Sequence, residues 1–236
     1  MNRILLLGFV VPMVMGQAST AMAQQAERTT WAKRLGWPAD KRVLLLHADD
    51  IGMCHEANAS AQRSLERGEY RSAAAMVPCP WFDEMAGWCV EHPSHDVGLH
   101  LTLTSEWKYY RWGPISPRDR VRGLLDTFGY LHGDVASVVR SATGEEVATE
   151  IKAQLARARK LGMKPSHIDT HMGTLYRKTE YMRAYLELAV AEEIPAMVID
   201  MTPRNLEKFR GQGYPIRDEL LKIIENYPLP KLDDFH

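Results

Sequence analysis

The stretch LLLHADDIGMCH, residues 44–55, constrains this chain most. In it an apolar run, residues 43–46, meets two adjacent carboxylates, Asp49 and Asp50, and then Gly52. An apolar run of that length, bounded by a glycine, reads as a strand buried on both faces, as parallel strands in α/β proteins are. The C-terminal ends of such strands are where α/β folds build their active sites. The two acids are therefore expected at the mouth of a cleft. The competing reading makes one of them a cap for the helix that follows.

Residues 1–23 stand apart from the rest. Arg3 gives a positive start, residues 4–15 are apolar except for Gly8 and Pro12, and the small residues 18–23 end in Ala21-Met22-Ala23. That is the layout of a signal peptide cleaved after Ala23, with an uncleaved anchor as the alternative. The apolar run is short for a bilayer span. An exported protein, periplasmic or secreted, with no stable membrane insertion after cleavage, is expected. Residues 24–236 are long enough for one domain with a sizeable core and short for two. The balance of 29 Lys+Arg against 30 Asp+Glu gives no reason to expect nucleic acid or an anionic membrane surface. Cys54, Cys79 and Cys89 lack CxxC spacing, so a thiolate zinc site is not expected, and they read as small, mostly buried apolar residues.

Apolar runs and alternation predict strands at 42–47, 72–77, 96–104, 166–171 and 196–200. Helices are predicted at 54–69, 82–92, 143–161, 179–193 and 217–226. Gly68 and Gly162 end two of them, and Thr143 with Glu146 has capping-box spacing. Residues 24–40 are expected on the outside of the domain and residues 227–236 as a loop. Residues 105–133 form a long irregular segment of the kind that is functional or disordered. The alternation of strands and helices predicts an α/β fold, either a TIM-like barrel or a doubly wound sheet. Five strand–helix units do not close an eight-stranded barrel, so either further strands escape the pattern or the barrel is incomplete at its C-terminal end.

Two histidines share the context of the acids. Over residues 96–104 the alternation is strict: Val97, Leu99, Leu101 and Leu103 share one face, and Gly98, His100, Thr102 and Thr104 the other. His167, Asp169 and His171 likewise alternate onto one face. Parallel strands bring such positions together, so Asp50, His100 and His171 are candidate ligands of a divalent cation with open positions. Asp49 is then the candidate general base, and Asp169 the residue that orients a ligand histidine. His47 lies on the same strand as the acids. The alternatives are a core histidine at position 100, bonded to Thr102 or backbone, and a solvated polar strand at 166–171. His55, His92, His95 and His132 fall in helix or loop contexts and read as surface residues. Trp107, Tyr109, Tyr110 and Trp112 either make a platform for sugar rings or plug the mouth of the barrel.

Three motifs in order carry a resemblance: His47-Ala-Asp-Asp-Ile-Gly52, Gly98-Leu-His-Leu-Thr102 and Pro165-Ser-His-Ile-Asp-Thr-His171. Together they resemble the signatures of the YdjC-like (ChbG/HpnK) carbohydrate deacetylases, over roughly residues 42–200. The resemblance implies a distorted TIM-like (β/α) barrel and a divalent metal cation, Mg2+ or Zn2+. It also implies hydrolysis of N-acetyl groups on amino sugars or chito-oligosaccharides. By position, Asp49 resembles the family's catalytic base, and Asp50, His100 and His171 its metal ligands. Two departures stand out. The family commonly has Asn where this chain has His47, and it carries a late His-Pro motif, thought to supply a general acid, that this sequence lacks. A truncated chain is the expected explanation, with His132 the remaining candidate for proton donor. The rival readings are a truncated or non-catalytic member that binds metal or saccharide, a glycoside hydrolase and a metallophosphoesterase. Paired-carboxylate glycoside hydrolysis is disfavoured because neighbours on a regular strand point opposite ways.

Overall fold

The computed structural model describes residues 29–235, so the expected leader lies outside the described residues. The first element is a single turn, α1 (Trp31–Arg34). Its leading amides, Trp31 N and Ala32 N, donate to the Asp233 carboxylate at 2.7 and 3.0 Å. A carboxylate at a helix N-terminus satisfies donors that have no partner inside the helix. This contact ties the start of the described chain to its end.

The core is a parallel sheet in the order β1 (His47–Ile51), β2 (Ser72–Ala75), β3 (Asp96–Leu101), β4 (Ile168–Thr170). Between β1 and β2 runs α2 (His55–Arg67), and between β2 and β3 runs α3 (Phe82–Glu91). Past β4 the pairing continues through single parallel bridges, Ile168 to Ala196 and Ile199 to Leu232. The strand expected at 196–200 is thus present as two isolated bridges. The tail expected as a loop supplies Leu232 as the next stave. The order β1-β2-β3-β4, each joined to the next by a helix, is the start of a β/α barrel wall.

The helices follow their local signals closely. Gly68, at φ 69°, ends α2 in the left-handed conformation that glycine accepts without strain. The long helix α5 (Gly144–Lys160) opens with a complete capping box between Thr143 and Glu146, of the kind worth about 1 kcal/mol. The elements α6 (Thr179–Ala191) and α8 (Asp218–Glu225) fall where periodicity put them. Besides the single turn α1, two helices were not predicted, α4 (Val135–Ser141) and α7 (Pro203–Gly211). Both are short and begin at side-chain caps, Asp134 and Thr202. Cys54, Cys79 and Cys89 are free thiols.

One expectation fails. Residues 43–46 are not a buried strand: Val43, Leu44, Leu45 and Leu46 are 44–81% exposed, and β1 starts only at His47. The register gives the reason. His47 pairs with Ser72, the first residue of β2, so the apolar run extends past the end of the one strand that pairs with it among the described residues. A run without a neighbouring strand has no sheet to be buried in.

Residues 105–133 are irregular, as expected, but firmly anchored. The fully buried carboxylate of Glu150 on α5 accepts the amides of Ile115 and Ser116, both at 2.9 Å, and the amide of Gln154 at 2.9 Å. Gln154 also bonds both backbone groups of Thr102, at the end of β3. Buried Trp112 donates its indole N–H to Thr104 O at 2.8 Å. The segment therefore follows β3 along a fixed path back across the sheet ends.

Candidate metal centre

The two acids sit in β1, and neither caps a helix: Cys54 precedes α2 at the cap position, with no side-chain cap. The pairing of β1 with β2 slips between Ala48 and Ile51, and Asp50 takes a φ of 60°. A residue other than glycine in that region costs on the order of 1–3 kcal/mol and is held only where surrounding contacts impose it. Here those contacts are two imidazoles. Asp50 Oδ1 lies 3.3 Å from His100 Nε2 and 3.1 Å from His171 Nδ1. The slip also breaks the regular alternation. Asp49, whose Oδ1 is 3.2 Å from His47 Nε2, shares His100 with Asp50: each acid has an oxygen within 4.8 Å of a His100 ring nitrogen. The alternation argument against paired carboxylates on one side therefore does not hold for this strand.

Gly52 finishes the turn at φ 87°, where an added Cβ would meet Met76 O and the Phe82 Cα at 3.3 Å. Its amide donates to buried Asn58 Oδ1 at 2.6 Å, and the Asn58 amide donates to Trp81 O and Glu84. Tyr110 OH donates to Met53 O at 2.5 Å. The loop carrying the acids is thus clamped from α2, α3 and the long segment.

Asp50, His100 and His171 each offer a donor atom within 4.8 Å of the others. His100 is held from behind: its Nδ1 lies 2.6 Å from Asp169 Oδ1, with Asp169 wholly buried. His171 opens the turn after β4, where Met172 and Gly173 both have positive φ. Its second nitrogen, Nε2, is 3.0 Å from Glu106 Oε1. Glu106 was not singled out from the sequence. No local signal marks it, because β3 ends at Leu101 and Glu106 lies in the irregular segment that follows.

Charge explains why a cation suits this set. Asp49, Asp50, Glu106 and Asp169 converge on His47, His100 and His171, so neutral rings leave the cluster negative. All three rings bind a proton more tightly than usual. For His47, burial pulls the pKa down, but hydrogen bonds to Asp169 and Asp49 overcome it and raise the pKa to about 9. His100 and His171 rise for the same reason, against burial, through Asp169 and Asp50 respectively. Hydrogen bonds from His100 and His171 hold the Asp50 carboxyl well below the usual range. Two imidazoles and one carboxylate, with each imidazole's other nitrogen on a second carboxylate, form the donor set that divalent cations take.

The remaining candidates divide. Trp112 packs inside and Tyr110 binds the acid loop, which is the plug reading. Trp107 and Tyr109 are exposed, which leaves them free for a ligand face. His132 Nε2 rests on Gly123 O at 3.2 Å. Among the described residues, no helix is long and apolar enough to cross a membrane.

Comparison with known proteins agrees with this architecture. The profile of the family described as YdjC-like protein matches residues 43–229. A carbohydrate deacetylase of Thermus thermophilus is 34% identical over 201 residues, which is 85% of this chain and 67% of the relative. A chitooligosaccharide deacetylase of Yersinia enterocolitica is 29% identical over 136 residues, or 56% of this chain and 49% of the relative. The crystal structure of an Enterococcus faecalis protein, described as a candidate cellobiose-phosphate cleavage protein, superimposes with a TM-score of 0.64 at 25% identity. That alignment covers 80% of this chain and 66% of the other, so this chain spans between about half and two thirds of these proteins.

Proposed function

This chain belongs to the YdjC-like protein family, and on that premise we propose that it is a carbohydrate deacetylase. The reaction is hydrolysis of the amide of an N-acetylated amino sugar or chito-oligosaccharide, giving acetate and a free amine. The observation that carries the reading is Asp50, held between His100 and His171 with Asp49 beside it at the open side of the sheet. Deacetylases among the relatives supply the substrate class.

Asp50, His100 and His171 are the residues that would hold a divalent cation, Zn2+ or Mg2+. When bound, it supplies Lewis-acid stabilisation of the oxyanion and lowers the pKa of water. Asp49 is half exposed and presents its carboxylate beside the site, so it is placed to take the proton of the attacking water. Asp169 and Glu106 fix the two ligand rings. Exposed Trp107 and Tyr109 offer faces for a sugar ring beside this opening. The leader reading of residues 1–23 makes the enzyme exported, periplasmic or secreted. Cell fractionation with and without those residues tests that.

A second reading is cleavage of a glycosidic bond. It is favoured by the description of the Enterococcus faecalis structure and by two neighbouring carboxylates brought to one side of β1. One assay separates the two readings: incubation with N-acetylated chito-oligosaccharides, following acetate, amine and new reducing ends, before and after chelation. Acetate and amine in equal amounts, lost on chelation and restored by Zn2+ or Mg2+, supports deacetylation. New reducing ends without acetate would replace it with glycosidic cleavage.

A further inference from the structure

The interior of the sheet carries a second histidine group that the proposed reaction does not use. His47 is the first residue of β1, and His167 immediately precedes β4, so both lie toward the N-terminal ends of the strands. Asp169 stands between them and the first centre. His47, His167 and Asp169 belong to one group that offers a ring nitrogen from each histidine and a carboxylate oxygen, all within 4.8 Å of one another.

We propose that His47, His167 and Asp169 form a second divalent-cation site, separate from Asp50, His100 and His171. The deciding feature is where each donor's other atom goes. His167 Nδ1 lies 3.2 Å from Asp96 Oδ1 and 3.0 Å from Ser166 Oγ. A carboxylate accepts only, so the Nδ1 proton is fixed there and Nε2 carries a lone pair. That Nε2 is buried and has no hydrogen-bond partner. A buried ring nitrogen with a bare lone pair is short of a proton donor or a cation, and such orphans are rare.

The other two donors are prepared in the same way. His47 Nδ1 is 2.9 Å from Ser72 Oγ, which leaves Nε2 facing Asp169 Oδ2 at 3.0 Å. The second Asp169 oxygen is taken by His100. Asp49 Oδ1, 3.2 Å from His47 Nε2, brings a fourth donor within reach from the cleft side. Ligand histidines in metal sites characteristically have their other nitrogen held by a carboxylate or a similar group. Here both do.

The backbone makes room for the arrangement. The His167 ring lies against β3 at Gly98, where an added Cβ would sit 2.6 Å from Cδ2 and from Nε2. A side chain at position 98 would push the ring off its line to Asp169. Two imidazoles with one or two carboxylates suit Zn2+, Co2+ or Ni2+ better than Mg2+, which prefers all-oxygen shells. The proposal shares Asp169 with the first centre but does not depend on the deacetylase reading.

The test is a metal count. The chain is stripped with chelator, dialysed against Zn2+, and its bound zinc measured per chain by mass spectrometry of the element. The same is done for His167→Gln, His47→Gln and His171→Gln, with circular dichroism to confirm folding. The expected result is two zinc ions in the parent chain and one in each variant. A parent chain that binds a single ion, lost in His171→Gln and kept in His167→Gln, overturns the second site and leaves the first intact. Two ions that both persist in folded His167→Gln and His47→Gln also overturn it, and no bound zinc overturns both centres. His167→Gln and His47→Gln test the site independently, so if one fails to fold the other decides.

Discussion

His100 on β3 and Asp169 on β4 are register partners, and their side chains meet Nδ1 to Oδ1 at 2.6 Å. The sheet itself therefore fixes the ring that reaches Asp50, because the two strands cannot slide without breaking this contact. Asp169 also takes His47 with its other oxygen, so one buried carboxylate sets the position of two rings. In Asp169→Asn the carboxylate is lost. Affinity for Zn2+ is expected to fall about 10- to 100-fold, as for other partners standing behind a ligand histidine. Competition with a chromogenic chelator measures it, and unchanged affinity would remove Asp169 from the centre.

Glu106 plays the matching part for His171, from an irregular segment rather than a strand. It is partly exposed, and its loss leaves room for water to replace it. Glu106→Gln keeps a hydrogen-bonding group and should weaken Zn2+ binding by roughly tenfold, at the low end of the same range. The same titration reads it, and a loss as large as that of Asp169→Asn would contradict this ranking.

Asp49 should separate chemistry from binding. Asp49→Asn removes the base without touching Asp50, His100 or His171. Turnover with an N-acetylated chito-oligosaccharide should drop about 10²- to 10⁴-fold, the usual worth of a positioned acid or base. KM and the metal held by Asp50, His100 and His171 should stay near parent values. Steady-state kinetics with a metal assay checks this, and a variant that keeps its turnover assigns the base to another residue.

Without metal, the ion pairs give the fold a narrow pH range. The carboxyl of Asp169 is raised by burial, yet lowered overall to about 2 by His100 and His47, from an ordinary 3.8. Its contribution is present above the ordinary value and is lost as pH falls toward 2. His47, faced by Asp49, Asp169, His167 and Ser72, rises from 6.5 to about 9. Its contribution is complete below 6.5 and is lost as pH rises through about 9. The urea midpoint of the chelated chain should therefore be highest between about pH 4 and 6.5. A midpoint that climbs from pH 6.5 to 9 would show that His47 is not charged in the fold.

Glu150 tests how the long segment is held. Glu150→Ala leaves the Ile115 and Ser116 amides without an acceptor. An unsatisfied buried donor costs about 1–3 kcal/mol, so the pair should cost about 2–6 kcal/mol of stability. Thermal or urea unfolding measures this. A loss below 1 kcal/mol, in the same units, would mean that water enters and takes over both amides.

The sequence by itself determined what is decided within a few residues. Thr143 and Glu146 announce the start of α5, Gly68 ends α2, and strict alternation puts His100 on the polar side of β3. Those signals work because capping, left-handed glycine and the period of two depend only on local backbone geometry. Asp50, His100 and His171 were legible as a set because each lies at or near the end of a short apolar segment that parallel pairing gathers. What the tertiary structure alone decided depends on neighbours far along the chain. The apolar run 43–46 is exposed because β2 begins too late to cover it. Asp49 and Asp50 reach the same side because the register with β2 slips between Ala48 and Ile51. The lone pair of His167 is orphaned because Asp96, on another strand, holds the other nitrogen. Register, edge position and the partner of a buried ring are set by which strands lie side by side, and no local pattern carries that information.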